Sequence, residues 1–458
     1  MFDSQPLLYE YLTLIGQTAP FFNLLAANNL PAGSFPTGAY NIVSTSTKRT
    51  PQYGSLEPHP HRNYVMQWSL NIQRELTRDL TATIGYVGTR GVHQPFRVDD
   101  ADLVMPTLTS AGYLFPKVDV LGDLYDSTNC HETDPNADPN PACSPPSRLN
   151  DNAGDIRYLN WGASSSYHAL QVGVVKRLNH GFQIQGSFTW GKSIDSNSGV
   201  IAGDQFSNSI SSLDWFDLHL TRGLSDYNVG RTLVINATWL VPTPKSLSGA
   251  MAWPLSGWQL STVFKANDGV PFSALFGAQG ADPRGTGSSD DYAYPSAVSG
   301  ACNPINLNFR SDLSGNPLYI NPKSNCFTVP QAPNQAFWNA NCDPAPPSVG
   351  AALAPGDLSC YNLRGNVGRN TLIGPGLTNL DFSVFKNNYI KRISESFNLQ
   401  FRAEFFNILN HANFNVPSLG DGNTNIINGD GTANGSAGLL TQTTTDPREI
   451  QFAIKLIW

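Results

Sequence analysis

Residues 63–88 read NYVMQWSLNIQRELTRDLTATIGYVG. Tyr64, Met66, Trp68, Leu70 and Ile72 occupy every second position, and Gln67, Ser69, Asn71 and Gln73 lie between them. A β-strand turns successive side chains to opposite faces, so this spacing predicts a strand with one aromatic-apolar face and one polar face. A turn is expected over residues 75–79. Beyond it Leu80, Ala82, Ile84 and Tyr86 alternate with Thr81, Thr83 and Gly85. The stretch therefore predicts an antiparallel hairpin whose two faces differ sharply in polarity.

The unit recurs along the chain. Leu170, Val172 and Val174 alternate with Gln171 and Gly173, and Phe182, Ile184, Phe188 and Trp190 alternate with Gln183, Gln185, Ser187 and Thr189. Leu233, Ile235, Ala237 and Trp239 face away from Thr232, Asn236 and Thr238, and Trp258, Leu260 and Phe264 face away from Gln259, Ser261 and Lys265. A fourth pair sets Leu380, Phe382 and Val384, then Phe397, Leu399, Phe401, Ala403 and Phe405, against Asp381, Ser383, Asn398, Gln400, Arg402 and Glu404. A last strand over residues 450–458 brings the expected number to nine. Within pairs the connections are short, apart from one of intermediate length. Between pairs they are long, at about 89–165, 191–228, 270–376 and 410–447. Structureless connections of that length do not suit a compact soluble domain. Short turns on one side and long loops on the other suit a transmembrane β-barrel with long extracellular loops.

Composition agrees. The 458 residues carry 28 Lys+Arg and 35 Asp+Glu, a net charge of −7, and charged residues make up 14% of the chain against about 25% in ordinary soluble proteins. An acidic chain lacks the basic surface of a nucleic-acid binder. No stretch has the roughly 20 mostly apolar residues of a helical span. Aromatic residues cluster near strand ends (Tyr64, Tyr86, Trp190, Trp239, Trp258, Trp458), as interfacial girdles require. The expected fold is an all-β antiparallel transmembrane β-barrel segment of about nine strands, with lipid on its apolar face. Gln67, Asn71, Gln183, Gln185, Asn236, Gln400, Arg402 and Glu404 are the expected lumen-facing residues, the last two as a charge pair. Rival architectures are a surface-exposed structural or adhesive outer-membrane protein and a soluble secreted β-sandwich with a binding role.

Motifs of catalysis are weak. Residues 186–193, GSFTWGKS, match the phosphate-loop pattern, but its first half is an alternating strand and no helix follows to present its N-terminus to phosphate. His59, His61 and His93 have no carboxylate or cysteine at supportive spacing. Residues 421–425 begin like a calcium loop but place Ile426 where the sharp turn needs glycine. Neither enzymatic activity nor a cofactor or metal is expected. Cys130, Cys143, Cys302, Cys326, Cys342 and Cys360 all fall in the long connections, and an even count there suits an oxidising compartment. Cys130 and Cys143 are expected to close a local disulfide; the other four allow three pairings. At the C-terminus Phe452, Ile454, Leu456 and Trp458 alternate up to a terminal aromatic, which resembles the assembly signal of outer-membrane barrels.

Five segments carry a family resemblance: 63–88, 167–195 (YHALQVGVVKRLNHGFQIQGSFTWGKSID), 257–272 (GWQLSTVFKANDGVPF), 365–385 (GNVGRNTLIGPGLTNLDFSVF) and 401–414 (FRAEFFNILNHANF), together with the last strand. They resemble the C-terminal barrel portion of TonB-dependent receptors of the Oar-like group, over roughly residues 60–458. The resemblance implies an outer-membrane transporter for large scarce nutrients such as siderophores or glycans. Its implied partners are outer-membrane lipid, the barrel-assembly machinery and, in the full-length protein, the TonB complex. Such a receptor has twenty-two strands, a plug domain and a leader. With Lys48 as its first basic residue and nine expected strands, this chain is expected to be a C-terminal piece: residues 1–60 a loop-like remnant of the preceding barrel region, and residues 61–458 part of the barrel. Strand parity then predicts an open sheet, because the first and ninth strands both run inward and would close as parallel neighbours.

Overall fold

A computed structural model describes residues 7–10, 52–98, 101–116, 149, 156–199, 214–243, 252–277, 293–300, 302–306, 308–309, 317–321, 324–342, 356–390, 392–419, 421–429 and 431–458. The Cys130–Cys143 pairing lies outside these residues. Twelve strands share one sheet. They are β1 (Leu7–Glu10), β2 (Gln52–Leu56), β3 (Tyr64–Thr77), β4 (Leu80–Val98), β5 (Ile156–Asn179), β6 (Phe182–Asp195), β7 (Gly223–Leu224), β8 (Arg231–Leu240), β9 (Trp258–Asn267), β10 (Leu377–Tyr389), β11 (Asn398–Phe406) and β12 (Glu449–Ile457).

The nine long strands are those the alternation marks, and they pair antiparallel in the order β3–β4–β5–β6–β8–β9–β10–β11–β12. The expected count of nine is exceeded by three short strands. β7 pairs with the outer end of β6, β2 runs parallel to the first residues of β5, and β1 pairs with β2. The region read as a loop-like remnant thus supplies two strands. Among the described residues β3 pairs only with β4, and β12 only with β11, so the sheet is open between them.

The turns are tighter than the alternation suggests. Strand β3 runs to Thr77, so the first turn is residues 78–79. Between β5 and β6 the turn is His180 and Gly181, both at positive φ (52° and 78°). That pair of left-handed residues matches the right-handed twist of the flanking strands. In the first turn Asp79 accepts from Lys176 Nζ at 2.7 Å, Thr77 Oγ1 at 2.8 Å and Asn179 Nδ2 at 3.1 Å, which knits the first two hairpins together. The hydrogen bond from Lys176, then those from Thr77 and Asn179, hold the Asp79 carboxyl well below its ordinary range.

Register aligns the faces across strands. One row runs Ile72–Ile84–Val172–Phe188–Leu233–Ala266. Another runs Phe182–Trp239–Leu260–Val384–Ala403–Phe452. Many side chains on this face are exposed: Leu70 65%, Trp190 62%, Ile454 71%. On β6 the aromatics Phe182 and Trp190 stand eight residues apart, about 27 Å along a strand rising roughly 3.4 Å per residue. The apolar band of an outer-membrane barrel is about 25 Å tall. Among the described residues no helix is long and apolar enough to cross a membrane.

Most of the buried apolar core lies outside the sheet. Phe272, Ala274, Phe309, Tyr319, Ile320, Val367, Leu372, Val416, Ala437 and Leu440 form one cluster, and Phe276, Ala293, Val329, Tyr361 and Ile427 a second. They come from two of the four long connections that the alternation predicts, about 270–376 and 410–447. Burying each of the large side chains contributes about 1.5–3 kcal/mol, so the described residues of these connections form a layer with its own interior. Disulfides Cys302–Cys326 and Cys342–Cys360 close loops within the first of them. Each is expected to stabilise its loop by about 3 kcal/mol.

Two outcomes follow. Leu70→Arg or Phe401→Arg, on the apolar face, costs about 2–4 kcal/mol near the midplane, whereas Gln185→Arg on the opposite face is tolerated. Heat-modifiable migration of detergent-folded protein reads the difference, and equal losses on both faces would contradict a lipid-facing surface. Asp79, with its lowered pKa, contributes stability that is complete above the ordinary carboxylate range and disappears only as pH falls through its own lower value. Asp79→Asn should therefore raise amide exchange around residues 176–180 at neutral pH, and the difference from wild type should vanish in strong acid.

Candidate functional site

The face opposite the aromatic one is assembled by the same register. One row runs Gln183–Thr238–Ser261–Ser383–Glu404–Gln451, and the next sets Gln185 beside Asn236. A third runs Asn71–Gly85–Gln171–Thr189–Thr232–Asn267, and Gln67 lies opposite Thr89. The eight residues expected to line a lumen therefore share one face of the sheet. Gln185 and Asn236 are brought side by side; Gln67 and Asn71 stay apart from the rest, on the edge strand.

The expected Arg402–Glu404 charge pair does not form. Both lie on one strand two residues apart, and Arg402 Nε instead donates to Gln400 Oε1 at 2.6 Å with its guanidinium 5.1 Å from the Phe385 ring. Gln400 passes the chain on to Asn387 Oδ1 at 2.7 Å. Gln400 is thus a buried link in a network, not an open lumen side chain.

At the long-loop end of this face the structure holds what alternation does not show. Ser193 and Asp195 continue the polar parity of β6. Arg369 arrives from the connection before β10 and bonds the Asp195 carboxylate, with further bonds to Asp195 O at 2.9 Å, Asp226 Oδ1 at 3.2 Å, Ser198 Oγ at 3.1 Å and Thr221 O at 2.9 Å. The side chains of all three charged residues are 3% exposed. Next to it Asn370, in the left-handed region at φ 55°, donates to Asp226 Oδ1 at 2.6 Å and Leu224 O at 2.7 Å. Gly223 is required at this contact, since a Cβ there would stand 2.5 Å from Arg369 O.

A second clasp lies nearby. Arg364 Nε and a terminal nitrogen both reach Asp214 Oδ2 at 2.9 Å, and the guanidinium sits 5.0 Å from the Tyr294 ring. Its backbone N–H donates to Tyr113 O, and Asn362 and Phe115 exchange bonds alongside. Tyr113 Oη donates to Asp217 at 3.1 Å; this bond pushes the phenol above its ordinary value, while His219 holds the Asp217 carboxyl below its own. Together the clasps fasten segments 101–116, 214–230 and 356–376 to one another and to the outer end of β6. The arrangement offers a polar wall roofed by a fixed loop layer, which suits binding and passage of a polar solute.

The decoy motifs fall elsewhere. Residues 186–193 lie wholly inside β6, with no phosphate loop. The His61 and His93 rings stack at 5.0 Å, and among the described residues no three His, Cys, Asp or Glu side chains gather as a metal set. Residues 421–424 make a turn with Gly422 at φ 72°, and Asn425 begins a short strand. The terminal signal residues Phe452, Ile454, Leu456 and Trp458 share the apolar face, and Trp458 meets the Phe397 ring edge-on at 5.2 Å.

Residues 2–451 match the family described as the outer membrane beta barrel domain. The chain belongs to that family. Its place is the outer membrane, in keeping with a sheet that turns its apolar residues outward. Among solved structures this barrel domain is similar to the outer membrane transporter YddB from Escherichia coli, at 8% identity over 88% of this chain and 34% of that one, with a TM-score of 0.35. The chain thus spans about a third of that protein's length. The curated proteins hold no match.

Removing Arg369 tests the roof. Arg369→Met leaves Asp195 and Asp226 buried without a counter-charge, a loss of about 3–5 kcal/mol. Limited proteolysis should then cut within 196–230 and 356–376 while the sheet survives. The triple change Asp195→Asn, Asp226→Asn, Arg369→Met should restore much of the resistance.

Proposed function

We propose that this barrel domain is the C-terminal barrel portion of an Oar-like TonB-dependent receptor, which takes up large scarce nutrients such as siderophores or glycans. The observation that carries the reading is the polar face capped at its outer end by a loop layer held by buried Arg–Asp clasps. A passage for large solutes needs a hydrophilic wall, and selection at its mouth needs loops of fixed shape. The five resembling segments support the family, and the segment 365–385 contains Arg364's neighbour Gly365 and the clasp residue Arg369. In this reading the chain does no catalysis and carries no cofactor. Its partners are outer-membrane lipid on the apolar face, the barrel-assembly machinery at β12, and the TonB complex acting on the full-length receptor.

Strand directions sharpen the proposal. β3 and β12 both run toward the short-turn side, so closing them on each other would create a parallel seam, and single-chain bacterial barrels have even strand numbers. The purified 458-residue chain should give no channel conductance in a planar bilayer. In cells, deleting the gene should slow growth when iron is supplied only as a siderophore, or carbon only as an oligosaccharide, and an uncoupler of the proton-motive force should reproduce the defect. Uptake that survives the uncoupler would overturn the TonB-dependent reading, and stable conductance from the chain alone would overturn its role as a portion.

A further inference from the structure

A buried lysine interrupts the apolar face. Register places Lys386 in the row Trp258–Lys386–Phe401–Ile454, three residues before β10 ends at Tyr389. The residue is only 7% exposed. Its Nζ donates to Asn388 Oδ1 at 2.8 Å and reaches Asn387 O at 3.5 Å. Two indole rings wall it, Trp253 at 5.6 Å from the helical turn Ala252–Leu255 and Trp258 at 5.9 Å from the start of β9. None of the ion pairs among the described residues includes it.

A buried charge is ordinarily paired. Amide oxygens and ring faces attract an ammonium but do not neutralise it. An ammonium has three donors, and one good bond plus one long one leave a donor to spare. The location says what anion could complete the set. Trp239, Trp253 and Trp458 are exposed at this same short-turn end, as an interfacial girdle requires, and the short turns of such barrels face the periplasm. Charges on the lipid side are tolerated near that boundary, where long side chains reach for head groups.

We propose that Lys386 and Asn388, walled by Trp253 and Trp258, bind the phosphate of an anionic phospholipid head group in the periplasmic leaflet. The lysine supplies the charge and Asn388 holds it in place. The two indoles exclude water and lie along the glycerol backbone and first chain carbons.

The test uses the whole chain in maltoside micelles, titrated with phosphatidylglycerol carrying brominated chains, which quench nearby tryptophan fluorescence. Brominated phosphatidylcholine reports the general lipid annulus, and inorganic phosphate is the competitor. Lys386→Met should weaken phosphatidylglycerol by about tenfold, the scale of one charge-assisted hydrogen bond, and leave phosphatidylcholine quenching unchanged. Lys386→Arg should stay close to wild type, and Asn388→Leu, which keeps the cation, should lose a smaller factor. Heat-modifiable migration checks folding, and if Lys386→Met does not fold, the arginine and leucine variants carry the comparison. Equal phosphatidylglycerol affinity in wild type and the folded variants that remove Lys386 or Asn388 would overturn the site. Displacement of the lipid by inorganic phosphate alone would overturn the lipid as its occupant.

Discussion

Every N–H and C=O that a chain carries into lipid must find its partner within the protein, because hydrocarbon offers none. That constraint organises the molecule. It forces the long strands into one continuous antiparallel ladder from β3 to β12, and it makes two-residue turns such as His180-Gly181 the economical way back on the inner side. Once the ladder exists, side chains can only point to lipid or away from it. The strict parity of Leu70, Trp190, Phe401 and Ile454 against Asn71, Gln185, Gln400 and Gln451 is its consequence.

The same constraint displaces the hydrophobic core. A sheet whose apolar residues face lipid cannot use them to bury one another, so the water-excluding interior must be built elsewhere. It is built in the connections 268–376 and 407–448, around Phe272, Phe276 and Ile320. Those connections are rich in proline, asparagine and glycine, and their described residues form only strands of two or three residues and one short helix. Disulfides and fully bonded buried Arg–Asp groups supply the order that secondary structure does not. Buried pairs of this kind are poor stabilisers beside apolar packing, but they specify one arrangement of the loops, since any other leaves a charge without a partner.

The parts of this fold legible in sequence are those with a period. Strands β3, β6 and β11 announce themselves by alternation, and their registers follow from matching apolar faces. Alternation stops being informative where a strand leaves the membrane. β4 runs on to Val98 through a bulge at His93 (φ 51°) that shifts register between Gly91 and Gln94, and β5 begins at Ile156. The loop core has no period at all, since Phe272 and Phe309 come to the Tyr319 ring only through tertiary folding. The polar face was legible but its chemistry was not. Arg402 and Glu404 look like an ion pair in sequence, yet Gln400 and Phe385 are better placed for the guanidinium. Arg369 stands 174 positions from Asp195, and nothing local marks the two as partners. The clue in reach was Arg-Asn at 369–370 within a resembling segment, a pair that in the structure holds three segments together.

The cross-links of the outer layer divide by range. Both disulfides close inside a single connection, between β9 and β10, whereas the Arg–Asp clasps join that connection to the end of β6 and the connection that follows it. The covalent links can form while the chain is still unpaired in an oxidising compartment, since they ask nothing of the sheet. The clasps cannot form until β6 and β10 stand in register, because their partners hang from different strands. The disulfides thus depend on one connection alone, whereas the clasps depend on the assembled sheet. The clasps act as a completion mark, closed only in a chain whose strands have found their neighbours.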